Sequence, residues 1–133
     1  METTLPTGTE HILFVDDEEP LLEMGEQLLT RLGYGVTCEI HSAAALALVE
    51  ESPARFDLVI TDQTMPEMTG MELAKRIRAV RPDMPIILVT GFSHLVDAES
   101  ANAAGIRGFA MKPLTRKEIA KTVRDVLDTK NLA

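Results

Sequence analysis

Asp57-Leu-Val-Ile-Thr-Asp-Gln-Thr-Met-Pro-Glu-Met-Thr-Gly-Met-Glu-Leu-Ala-Lys-Arg-Ile-Arg-Ala-Val80 carries one complete strand-loop-helix unit. It opens with Asp57-Leu-Val-Ile-Thr61, which reads as a strand with an unbroken apolar centre, Leu58 to Ile60. A strand that is apolar throughout has both faces covered, as in a parallel sheet packed by helices on each side. Asp62 ends the run, and turn residues follow. From Gly70 to Val80 the apolar residues Leu73, Ile77 and Val80 recur at helical spacing.

The same strand-loop-helix unit recurs on both sides. Upstream, His11-Ile-Leu-Phe-Val15 is an apolar run ended by acids. Glu19 to Leu32 reads as a helix, with Pro20 suited to its first turn and Gly33 as its stop. Leu21, Met24, Leu28 and Leu32 fall on one face and are expected to cover the sheet. Leu22 and Leu29 lie roughly 80 to 100° round from them. They stand either as a partly exposed docking patch or as packing against a neighbouring helix. Tyr34 to Ile40 reads as a strand, and Ser42 as the cap of a helix over Ala43 to Glu51.

Downstream come a strand over Pro85 to Thr90 and an alanine-rich helix over Leu95 to Ala104, ended by Gly105. A short strand, Gly108 to Met111, precedes a helix over Thr115 to Asp128. Thr115 and Glu118 form a capping box there, and Ile119, Val123, Val126 and Leu127 its apolar stripe. Five β-α units in succession predict an α/β fold with a doubly wound, five-stranded parallel sheet and right-handed crossovers.

Composition agrees. The 133 residues suit a single domain, expected over 10–128 between a polar lead (1–9) and a short tail (129–133). Apolar residues make up 45% and charged residues 26%, which excludes disorder for the bulk of the chain. No stretch approaches the roughly 18 to 20 apolar residues of a membrane helix, and the polar N-terminus has no secretory signal. A net charge of −8 repels a phosphate backbone, which argues against nucleic-acid binding. The single cysteine, Cys38, makes no internal disulfide and fits a reducing cytoplasm. It reads as a small buried hydrophobe. Three scattered histidines and one cysteine do not make a zinc site of ordinary spacing.

In such sheets, function gathers at the carboxyl ends of the strands. Asp16 and Asp17 end the first strand, Asp62 the third, Thr90 the fourth, and Lys112-Pro113 the fifth. Each has a plainer reading alone: a helix cap for Asp17, turn chemistry for Asp62, a loop entry for Thr90, a solvated lysine for Lys112. Their coincidence at one rim points further. Three carboxylates in one small site either retain a proton or bind a cation. All-oxygen ligands favour magnesium. With a lysine and a hydroxyl beside them, the set suits a phosphoryl group, which a carboxylate can attack as nucleophile.

The sequence resembles the receiver domains of two-component response regulators, over about residues 10 to 128. The matching pieces are Val15-Asp-Asp-Glu18, Asp62-Gln-Thr-Met-Pro-Glu-Met-Thr-Gly70, Val89-Thr-Gly91 and Gly108-Phe-Ala-Met-Lys-Pro113. The resemblance implies the flavodoxin-like strand order 2-1-3-4-5. It implies that Asp62 accepts a phosphoryl group from a phosphohistidine on a histidine kinase or histidine phosphotransfer protein. Asp17, Asp62 and the backbone carbonyl of Thr64 would ligate Mg2+ (or Mn2+), with Asp16 acting partly through a bound water. Lys112 and Thr90 would contact the phosphoryl oxygens. Thr90 and Phe109 would form a conformational switch, although Phe109 also reads simply as a core aromatic. No direct membrane contact is expected, and the oligomeric state is left open.

The lead and the Gly108–Leu114 segment resemble receivers fused to hybrid sensor histidine kinases, while a stand-alone receiver also fits. Other functions fit less well. An aspartate-nucleophile phosphatase wants Asp-x-Asp, where this chain has adjacent Asp16-Asp17. A flavodoxin needs a hydroxyl-rich phosphate loop. A degenerate receiver serving as a scaffold would not keep the full acid, lysine and hydroxyl set. The basic residues Arg107, Arg116, Lys117, Lys121 and Arg124 read as a solvated face.

Overall fold

The computed structural model describes residues 5–91 and 98–131. The expected alternation is present: β1 (His11–Val15), α1 (Glu19–Arg31), β2 (Gly35–Glu39), α2 (Ser42–Glu51), β3 (Leu58–Asp62), α3 (Gly70–Val80), β4 (Ile86–Thr90), α4 (Ala98–Ala103), β5 (Ile106–Met111) and α5 (Arg116–Asn131). The strands form one sheet in the order β2-β1-β3-β4-β5, and every neighbouring pair is parallel. The first residues of the expected fourth helix, 95–97, lie outside the described residues. The last helix continues to Asn131, past the expected end at Asp128.

Strand side chains alternate between two apolar layers, which is why these runs are apolar throughout. Ile12, Phe14, Leu58, Ile60, Ile87 and Val89 face α1 and α5. Leu13, Val15, Val59, Ile86 and Leu88 face α2, α3 and α4. This is the double winding expected of a parallel sheet.

The face of α1 corrects the sequence reading. Leu22 (7% exposed), Leu29 (0%) and Leu32 are in the core, and Met24 is 36% exposed. Leu21 and Leu28 are only half-buried. Leu22 and Leu29 therefore pack inside rather than forming a docking patch. Gly25 sets this orientation: a Cβ there would overlap the Phe14 ring, so the helix backbone lies directly on β1 at that point.

Arg124 also departs from expectation. Instead of standing in solvent, its guanidinium donates to Glu10 Oε2 (2.8 Å), Asp128 Oδ1 (2.9 Å), the Thr7 carbonyl (3.2 Å) and the Tyr34 hydroxyl (3.4 Å). It joins the lead to α5. Arg107, Arg116, Lys117 and Lys121 are exposed as expected.

Candidate functional site

Parallel register brings the strand ends to one rim, since Thr61 stands opposite Val15, Asp62 opposite Val89, and Thr90 opposite Met111. Asp16 follows β1 directly. Its N–H donates to the Glu39 carbonyl at 3.1 Å, and its Oδ1 accepts from the Glu18 N–H at 2.9 Å. Asp16 is buried and Asp17 exposed. Asp62 is the buried last residue of β3. Asp16, Asp17 and Asp62 each present a carboxylate oxygen within 4.8 Å of the others.

Lys112 reaches in from the end of β5. Its Nζ lies 3.1 Å from Asp62 Oδ1 and 3.6 Å from Asp16 Oδ2. Its own N–H donates to the Thr90 carbonyl at 2.9 Å, which ties β5 to β4 beside the buried Thr90. The Lys112–Pro113 peptide bond is cis.

The electrostatics follow from burial and crowding. Burial pushes the Asp16 carboxyl up to about 6; the Asp62 and Asp17 charges add to this, while the Glu18 N–H and Lys112 oppose it. Burial also raises Asp62, and outweighs the stabilising hydrogen bond from Lys112. For Lys112, burial works to lower the pKa, but the hydrogen bond to Asp62 and the Asp16 and Asp62 charges together raise it, so the ammonium is held. One ammonium against three carboxylates leaves excess negative charge. A hard divalent cation on oxygen ligands would relieve it, and the donor set fits magnesium.

The loop from β3 to α3 is tightly closed. The Gly70 N–H donates to the Gln63 carbonyl at 3.1 Å, and the Met71 N–H to Gln63 Oε1 at 2.9 Å. A Cβ at Gly70 would collide with the Asp62 carbonyl. Thr69 caps α3 by accepting from the Glu72 N–H at 3.2 Å. Thr64 is exposed within this loop. Phe109 is 46% exposed, which removes its reading as a core aromatic.

Several contacts around the site were not apparent in the sequence. Ser42 does not cap α2; its hydroxyl donates to the Met68 carbonyl at 2.9 Å. Thr115 does accept from the Glu118 N–H at 3.1 Å. Glu118, however, turns its Oε1 to the Met111 N–H (2.9 Å), bracing β5 one residue before Lys112. Cys38 is half-buried beside Glu26, and burial pushes its thiol up to about 12. His11 is a strand histidine bonded to the Thr37 hydroxyl at 2.8 Å.

A doubly wound sheet of this order, with acids, a lysine and a hydroxyl at its carboxyl rim, suits acceptance of a phosphoryl group by a carboxylate. The chain belongs to the response regulator receiver domain family, whose model matches residues 12–124. It is 36% identical to the chemotaxis protein CheY homolog of Campylobacter jejuni, over 89% of this chain and 92% of that one. It is 35% identical to the transcriptional regulatory protein GlrR of Escherichia coli, over 89% of this chain but only 26% of that protein. It is 33% identical to the sensor kinase CckA of Brucella abortus, over 92% of this chain and 13% of that protein. The chain thus spans only a fraction of the latter two. The fold agrees with the crystal structure of a response regulator receiver domain protein from Clostridium thermocellum (TM-score 0.86, 30% identity, 92% of this chain and 98% of that one). Among the described residues, no helix is long and apolar enough to cross a membrane.

Proposed function

We propose that Asp62 is the phosphoacceptor and that it takes the phosphoryl group from a phosphohistidine on a histidine kinase or phosphotransfer protein. An Asp62 carboxylate oxygen attacks phosphorus, the P–N bond to imidazole breaks, and an acyl phosphate forms. The observation that carries this is the contact of Lys112 Nζ with Asp62 Oδ1 at 3.1 Å, inside a group of three carboxylates. Lys112 neutralises charge on the transferring group, and the Thr90 hydroxyl donates to one of its oxygens. Asp16, Asp17, Asp62 and the Thr64 carbonyl would hold Mg2+, which supplies further neutralisation of the phosphoryl oxygens.

Phosphorylation draws the Thr90 hydroxyl inward and leaves room for Phe109 to turn in from its exposed position. The exposed side of Met24, between half-buried Leu21 and Leu28, offers the partner's helical bundle an apolar contact on α1. A cytoplasmic setting fits the lone Cys38. A place in a hybrid histidine kinase fits the likeness to part of CckA.

The test is a small-molecule phosphodonor with magnesium, followed by intact mass. The wild type should gain one phosphoryl group and Asp62→Asn none. Uptake by Asp62→Asn at the wild-type rate overturns the assignment. Turnover of the donor without accumulation would instead favour a phosphatase.

A further inference from the structure

Among the described residues, the buried polar side chains are Asp16, Ser42, Thr61, Asp62 and Thr90. All but Ser42 belong to strands or strand ends. Ser42 stands at the start of α2, and its hydroxyl crosses to the β3–α3 loop. There it donates to the Met68 carbonyl at 2.9 Å and lies 3.6 Å from Met65 Sδ. The Met68 N–H in turn donates to the Pro66 carbonyl at 2.8 Å.

Between Pro66 and Met68 sits Glu67 with φ 70. A non-glycine residue keeps that left-handed conformation only where its surroundings over-determine it, and such residues cluster at functional sites. Glu67 itself is exposed. Its neighbour Met68 is bonded through both its N–H and its carbonyl. At its other end the loop is closed by Gln63 against Gly70 and Met71. Thr64 lies between these two fixed points.

We infer that Ser42 is a positioning residue for the metal and phosphoryl site: its hydroxyl, delivered from α2, sets the path of loop 63–69 and with it the Thr64 carbonyl. This rests on the reading of Asp62 and its neighbours as a magnesium-assisted acceptor. Without the hydroxyl, the Met68 carbonyl loses its donor and the loop one of its fixed points.

The experiment compares wild type, Ser42→Ala and Ser42→Gly in the full chain. It measures magnesium affinity by calorimetry, amide exchange, melting temperature and uptake from a small phosphodonor. Ser42→Ala should weaken magnesium binding about tenfold, the low end for removing an outer-shell contact. It should also speed exchange at the Met68 amide, which bonds the Pro66 carbonyl beside the lost contact. Ser42→Gly loses the same hydroxyl but is a poorer helix residue, so it should melt lower while losing the same magnesium affinity as Ser42→Ala. Unchanged affinity in Ser42→Ala, or losses that follow melting temperature from Ala to Gly, make Ser42 a packing residue and overturn the inference. A wild type that binds no magnesium overturns both readings. One that binds magnesium but takes up no phosphoryl group overturns the acceptor reading alone.

Discussion

Lys112 Nζ sits between two buried carboxylates, 3.1 Å from Asp62 and 3.6 Å from Asp16, and is closer to the residue proposed as nucleophile. Lys112→Met keeps much of the side chain's bulk but removes its charge. Phosphoryl uptake should fall roughly a hundredfold or more, as when one preorganised donor is removed from a charge-stabilising site. Initial rates with a small phosphodonor check this. A loss of threefold or less would mean that the ion pair is only structural.

Asp16 makes the metal-free domain sensitive to pH. Its folded pKa, about 6, stands above its ordinary 3.8. A raised carboxyl contributes stability that is complete below the ordinary value and is lost as pH climbs through the folded one. Metal-free wild type should therefore lose up to about 3 kcal/mol relative to Asp16→Asn between roughly pH 4 and 7. Melting curves of both proteins across that range, in chelator, measure the gap. Parallel curves refute the prediction. Millimolar magnesium should raise the wild-type Tm at pH 7.

Glu10 should act in the opposite sense. Its hydrogen bond with Arg124 holds its carboxyl below the usual 4.5. A depressed carboxyl contributes stability above the ordinary value and loses it as pH falls through the folded one. Arg124→Met should lower the Tm near neutral pH, and the difference from wild type should shrink below about pH 4.5. A difference that stays constant into acid would assign the effect to packing of the side chain instead.

The two faces of α1 should separate in a partner assay. Leu29→Ala removes a fully buried side chain and should cost about 3 kcal/mol. Leu22→Glu puts a charge into the core, so both phosphorylation routes should suffer together. Met24→Glu should leave the Tm and small-molecule uptake near wild type while slowing transfer from the histidine partner. If Met24→Glu slows both routes equally, the exposed face is not the docking face.

The reading of α1 shows where the sequence stopped being informative. Leu21-Leu22 and Leu28-Leu29 are doublets, so two apolar stripes satisfy the same helical period. Counting apolar residues favours the stripe through Met24 over the one through Gly25. Packing favours Gly25, because only a residue without a side chain admits the Phe14 ring. Hydropathy gives glycine little weight, so the deciding contact leaves no trace in the pattern. The strands were legible because runs apolar on both faces have few other fates, and the acids, Thr90 and Lys112 were legible because strand ends in such a sheet share one rim. Contacts between distant segments, such as Ser42 to Met68 and Arg124 to Glu10, depend on how helices lie against the sheet. No local spacing encodes them.

The guanidinium of Arg124 touches Thr7 and Glu10 from one end of the domain and Asp128 from the other. The approach to β1 and the second half of α5 are thus neighbours, away from the phosphoryl rim. A unit with that geometry can be spliced into a surface loop of a host protein without stretching the host, or be circularly permuted by a short bridge. It behaves as a plug with both leads on one side, and the rim stays free whichever scaffold supplies the socket.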